Sequence, residues 1–189
     1  LVDLAKSDAF IAMRTSDYAA IATAFADVKI SSTGPDRWRV ERRGALHTLR
    51  LDQPGELWPD PMASKGYLGA RKINGSLYIA LDPDVEVAEL VFVRRSVNAP
   101  ELVASNWDIF GLERRTCGVA AMATGFGGGE MQWSGLPNGP IEVRVVQSGE
   151  TLWAGVRDVA DGLMTLDLPV SALRPVRLEI GCRNVGTRP

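Results

Sequence analysis

The stretch from Tyr67 to Asp82, Y-L-G-A-R-K-I-N-G-S-L-Y-I-A-L-D, restricts the fold of this chain more than any other. Two β-type runs flank Asn74-Gly75, the dipeptide best suited to a two-residue type I′ turn, whose central residues both need positive φ. On the second run Leu77, Ile79 and Leu81 alternate with Ser76, Tyr78 and Ala80, which makes one face apolar at period two. The stretch predicts a β-hairpin with one buried face.

More strands and tight turns follow the same logic. Trp38 and Val40 share one face, and Arg43-Gly44 turns the chain into a run from Ala45 to Leu51. Residues Asp52 to Ser64 are rich in Pro and Gly and read as a loop. Further runs cover 85–93, 102–106, 119–124 and 130–134, while the assignment of 107–115 stays open. Ile141, Val143 and Val145 alternate with Glu142 and Arg144, and Ser148-Gly149 turns into 151–156. Asp161-Gly162 precedes 163–168, and the last run places Val176, Leu178, Ile180 and Cys182 on one face. Short strands with turn signals about every 8 to 12 residues indicate an antiparallel sandwich or barrel.

Residues 1–27 have a different pattern. Ala9 to Met13 is a short apolar run that suits a buried strand. After it Tyr18, Ile21, Ala22 and Phe25 fall at helical spacing, with Thr15 or Ser16 as N-cap and Asp17 in the first turn. The expected fold is therefore mostly β: an antiparallel, jelly-roll-like sandwich over 28–189 behind a strand-helix appendage over 1–27.

The whole chain sets limits on function. With 189 residues it can bury a substantial core. A net charge of −2 argues against a dedicated nucleic-acid surface, which would normally be basic. No apolar run approaches the roughly 18 residues of a membrane span. The amino end lacks a basic patch followed by an apolar run, so no signal peptide is expected in this stretch. Beginning at Leu1, the chain reads as a processed product or a piece of something larger. Cys117 and Cys182 are the only cysteines; they are compatible with one disulfide or two buried thiols, and a bridge would favour an oxidising compartment.

Few residues suggest chemistry. His47, the single histidine, shares a strand face with Leu49 and Leu51 and is expected to pack there as a hydrogen-bonded core or edge residue. One histidine excludes the common His-rich zinc arrangements, and no G-x-S-x-G is present. The run Gly125 to Gly129 lacks the Gly-Lys-Ser/Thr ending of a phosphate loop and is expected to be a turn or bulge. Asp82, Asp84 and Glu86 have no EF-hand-like spacing and are expected to serve an Asp-Pro turn. No metal or cofactor is expected. Acids number 23, so carboxylate pairs about 5 to 9.5 Å apart are inevitable on any folded surface and nominate no glycosidase.

Aromatic residues are more suggestive. Trp38, Trp133 and Trp153 lie within strand patterns and are expected in the core, whereas Trp58 sits in the Pro-rich loop and Trp107 beside Asn106 and Asp108. Loop aromatics near amides and carboxylates suit a sugar, whose apolar ring face packs on the aromatic while its hydroxyls find polar partners. Trp58, Tyr67 and Trp107 are the candidate sugar contacts.

Three segments together, S-D-Y-A-A-I-A-T-A-F at 16–25, R-W-R-V-E-R-R-G-A-L-H-T-L-R-L at 37–51, and 64–82, resemble the region after the deacetylase barrel in large bacterial exopolysaccharide-modifying proteins. Some of those multidomain deacetylases also carry a glycoside-hydrolase-like domain. The resemblance covers about the first 80 residues and rests on no catalytic motif. It implies that Ala9–Met13 and Ser16–Phe25 are similar to the barrel's last strand and helix, leading into a β-rich domain. Such deacetylases hold a metal with two histidines and an aspartate; with one histidine, this chain carries none of that set. The resemblance thus implies a non-catalytic accessory module, periplasmic or extracellular, whose partner is a polysaccharide or the catalytic domain of the same protein. The alternatives are a structural or assembly domain of an export or matrix complex, and a small two-carboxylate glycoside-active enzyme.

Overall fold

A computed structural model of the protein describes residues 15–41, 43–94 and 99–182. The strand expected at Ala9–Met13 lies outside the described residues. Among the described residues one helix, α1 (Thr15–Asp27), precedes a succession of antiparallel strands. The first seven are β1 (Lys29–Gly34), β2 (Arg37–Glu41), β3 (Thr48–Leu51), β4 (Trp58–Pro59), β5 (Tyr67–Ile73), β6 (Ser76–Leu81) and β7 (Ala88–Val93). They form two sheets in the orders β1-β2-β7-β4 and β3-β6-β5. Between the sheets lies a core that includes Val40, Leu90 and Phe92 from one side and Leu77, Ile79 and Leu81 from the other. The Asn-Gly hairpin is β5–β6, with φ of 49° at Asn74 and 84° at Gly75, as a type I′ turn requires.

The second half runs through β8 (Glu101–Ser105), β9 (Asp108–Arg115), β10 (Gly118–Gly125), β11 (Gly129–Ser134), β12 (Gly139–Gln147), β13 (Glu150–Val159), β14 (Met164–Leu168) and β15 (Ala172–Cys182). Its sheets are β13-β12-β15-β10-β9 and β14-β11-β8, and a second core containing Trp133, Val143, Leu166 and Leu178 fills the space between them. Its pairs are nested: β12 with β13, then β11 with β14, then β10 with β15. Successive pairs fall in alternate sheets, which is jelly-roll wiring. Ser148-Gly149 and Asp161-Gly162 repeat the positive-φ pair of the first hairpin, at 49° and 86° and at 53° and 73°. Cys117, just before β10, and Cys182, the last residue of β15, are joined as a disulfide with their Cα atoms 5.6 Å apart.

The two halves meet along β5 and β8. A Cβ at Gly69 would stand 2.0 Å from the Leu102 carbonyl oxygen, so only glycine permits this approach of backbones. A register irregularity between Tyr67 and Gly69 accompanies a split of side chains: Tyr67 and Ala70 enter the first core and Leu68 the second. Buried polar groups stitch the seam. The Asp82 carboxylate accepts from the backbone N–H groups of Asp84, Gly111 and Leu112, each at 3.0 Å. Arg114 donates to the carbonyls of Pro100, Tyr67 and Leu68 while its guanidinium lies 5.3 Å from the Tyr67 ring centre.

α1 turns the expected helical stripe away from the fold. Tyr18 and Phe25 are 67% and 75% exposed, and Ala24 is the buried residue of the helix. The inward side is alanine-rich because the chain passes close to it: a Cβ at Gly44 would lie 3.0 Å from the Ala24 Cβ. Large side chains on that face would push the helix off.

Candidate glycan-binding face

A row of side chains crosses six strands on one side of the molecule. On β3, β6 and β5 it runs Arg50, Tyr78, Arg71, each the cross-strand partner of the next. Across the seam Arg71 shares a shallow groove of about 320 Å³ with Ala104, and the row continues through Gln132 to Thr165 as register partners on β8, β11 and β14. Two hydrogen-bonded steps of about 4.8 Å in each sheet, with the unpaired crossing from β5 to β8 between them, make this row about 20 Å long or more. The opposite faces of these strands carry the core residues Leu77, Ile79, Met131, Trp133 and Leu166, so the period-two pattern itself pushes the polar set outward.

The chemistry of the row is mixed and mostly unsatisfied by the protein. Arg71, Gln132 and Thr165 make no side-chain hydrogen bond among the described residues, so a guanidinium, an amide and a hydroxyl remain free for a ligand. Glu130 and Asp167 stand directly opposite each other at the edge of the same groove. Like charges in that position repel, and hydroxyl donors placed between them would relieve the repulsion. Asn106, also on the groove, is committed to the protein: its amide donates to the Gly128 carbonyl at 3.0 Å and accepts from the Glu130 N–H at 2.7 Å. Tyr78 supplies the aromatic surface, half-buried, with the Arg50 guanidinium 5.9 Å from its ring centre. Arg50 is held in turn by Asp52 at 2.7 Å.

The candidate aromatics from the sequence lie elsewhere, and two of them need correction. Tyr67 is 1% exposed and Trp107 3% exposed, so neither ring offers a face to a sugar. Tyr67 is drawn in by Glu101, a 3% exposed carboxylate that accepts from the Tyr67 hydroxyl at 3.0 Å and from Trp58 Nε1 at 3.2 Å. Trp58 and Tyr67 are thus brought together, but on a buried acid of the seam. Trp58 keeps partial exposure over this cluster. Burial, first of all, holds the Glu101 carboxyl above the usual glutamate range, while the Trp58 and Tyr67 donors and the Arg114 charge pull the other way. Burial likewise raises the Tyr67 phenol, with the neighbouring Glu101 adding to it.

Trp107 explains the glycine run. A Cβ at Gly125 would fall 2.0 Å from its indole ring and one at Gly129 2.9 Å, so those glycines leave room for the ring at the end of β10 and the start of β11. The turn reading of 125–129 holds, with the indole as its cause. The Trp107 N–H finds no acceptor among the described residues. Trp38, expected in the core, is 42% exposed.

Other sequence candidates settle into structural roles. His47 is exposed rather than packed, with Nδ1 3.3 Å from the Arg43 guanidinium. Arg43 itself is buried and binds the carbonyls of Asp82, Val85 and Leu46, which closes the 82–85 turn. Asp82 is committed to three backbone donors, and no cluster of three or more metal-ligating side chains is present among the described residues. The six-strand row escaped the sequence because it depends on register between distant strands; its only local signal is the polar half of each alternation. No protein-family model, no curated protein and no solved structure matches the chain.

Proposed function

We propose that this chain is a non-catalytic accessory module of an exported polysaccharide-modifying enzyme, and that it holds a glycan chain along the six-strand row. The observation that carries this reading is the combination in one row of a half-buried tyrosine with an uncommitted guanidinium, amide and hydroxyl. A sugar needs an apolar face for its ring carbons and paired donors and acceptors for its hydroxyls. A row of about 20 Å or more accommodates several sugar units in an extended chain. The Cys117–Cys182 bridge fits an oxidising compartment outside the cytoplasm.

The outward stripe of α1, with Tyr18 and Phe25, is the surface available for packing on a catalytic domain. The same stripe favours the second reading, an assembly domain whose partner is another protein, because large exposed apolar side chains on one helix face mark interaction surfaces. The two-carboxylate enzyme draws no such support. Glu130 and Asp167 face each other on an open sheet surface, and the buried Glu101, though it feels the Asp60 charge, spends its oxygens on an indole and a phenol.

Affinity electrophoresis in gels containing neutral, anionic and N-acetylated polysaccharides tests the reading. At least one class should retard the protein, and Gln132→Ala and Arg71→Ala should each weaken that retardation about tenfold. Retardation by none, or by one that both variants retain, rejects the glycan reading.

A further inference from the structure

The first core is open on one side. A cavity of about 350 Å³ lies between sheets β1-β2-β7-β4 and β3-β6-β5, walled by Val40, Leu49, Leu51, Leu57, Leu90 and Phe92. At its mouth Ile30 and Trp38 are 49% and 42% exposed, large apolar surface that a closed sandwich would cover. Native interiors pack with few voids larger than a water molecule. Aliphatic cavities of about 150 Å³ already stay dry and take up benzene, and this one is more than twice that size. On that scale about a dozen carbon atoms fit.

From this cavity we propose a second binding site, sharing only Arg50 with the glycan row, that takes the hydrocarbon chain of a fatty acid. The wall chemistry selects the occupant. Only Asp36 and Arg50 among the lining residues carry charge. A sugar or nucleotide placed inside would strand its hydroxyls without partners, at a cost no apolar wall offsets. The mouth is also too small for a protein partner: a stable interface buries on the order of 1,000 Å² or more, whereas the strongly exposed apolar side chains here are Ile30 and Trp38. A hydrocarbon chain is the occupant whose surface matches these apolar walls throughout. The acid head emerges at the mouth beside the edge strand β3, whose outward-facing Arg50 also lines the rim and meets it by exchanging its exposed ion pair with Asp52, a contact of the weak surface kind.

Isothermal titration of the full chain with dodecanoate, below its micelle concentration, tests the site. One saturable site is expected, with the methyl resonances of Leu49, Leu51 and Leu90 shifting together. Leu51→Trp fills the cavity and should weaken binding about tenfold or more while leaving the melting temperature at or above that of the parent. Should that variant misfold, Trp38→Ala serves in its place: it removes a half-exposed wall of the mouth and should weaken binding several-fold. Arg50→Gln should weaken dodecanoate but leave dodecanol unchanged. Absence of saturable binding, binding untouched by the cavity variants, or binding only to anionic phospholipid vesicles would each overturn the proposal. Arg50 also stands at one end of the glycan row, so the distinguishing variants are Leu51→Trp and Trp38→Ala, which lie outside it; failure there leaves the glycan reading standing.

Discussion

The Tyr67 phenol donates to Glu101 at 3.0 Å across the seam between the two cores, and both residues are almost wholly removed from solvent. The bond ties β5 to the first residue of β8, and Trp58 adds a second donor to the same carboxylate from the short strand β4. The seam is therefore anchored on a buried acid, with Arg114 packed over the Tyr67 ring.

Titration of that acid has a defined sign. Glu101 ionises at higher pH folded than unfolded, so between those two values the folded state binds more protons. Its contribution is fullest below the ordinary glutamate value and is lost as pH rises through the folded one. Glu101→Gln removes this dependence and should gain stability relative to the parent as the pH is raised from acid to neutral. Glu101→Ala leaves two donors unpaired and should cost about 2 to 3 kcal/mol throughout. Urea melts at both ends of the range measure this; a Gln variant that tracks the parent at each pH would refute the titration.

Asp82 makes a second tie, from the end of β6 to β9. Asp82→Ala abandons three backbone N–H groups and should cost about 3 kcal/mol. Asp82→Asn keeps one acceptor oxygen and should cost less than the alanine variant. Chemical denaturation ranks the two, and equal losses would show that the carboxylate contacts matter little.

The outward stripe of α1 reverses the usual expectation for apolar residues. Tyr18→Ser and Phe25→Ser should change the stability of this chain by no more than about 0.5 kcal/mol, because neither side chain is buried. Ala24→Leu should cost about 1 to 3 kcal/mol, since Ala24 is buried where α1 packs on the Gly44 turn. Thermal melts distinguish the two faces; a large loss from Phe25→Ser would mean that the stripe is covered.

The disulfide joins residues separated by 65 positions. Replacing both cysteines by serine should lower stability by about 4 kcal/mol in the chain-entropy treatment. Thiol titration of the unfolded, unreduced protein should find no free thiol.

Much of the architecture was legible because it is local. Leu77, Ile79 and Leu81 alternate on their own strand, and Asn74-Gly75 and Ser148-Gly149 carry their turn geometry in two residues. The division into two cores was not legible, since it turns on one irregularity near Leu68 and on the approach at Gly69. Helical spacing identified the Tyr18–Phe25 stripe but carried no information on which side of α1 would meet the Gly44 turn. The candidate aromatics failed for a related reason. Tyr67 and Trp107 sit beside polar residues in the chain, yet burial follows from partners such as Glu101 and Gly125, far away in sequence. Gln132, Ala104 and Arg71 become neighbours only once β5, β8 and β11 are side by side.

The nesting of strands in the second half has a consequence for biogenesis. β15, the last described strand, lies between β12 and β10 in the interior of its sheet, not at an edge. The ribosome therefore delivers the central plank last. Until Ala172–Cys182 has emerged, β10 and β12 each present an unsatisfied edge, and the loops that must close around them are long, which slows folding and invites association. Nascent chains stalled before Ala172 should remain protease-sensitive from β8 onward, and release of the final strand should confer resistance in one step.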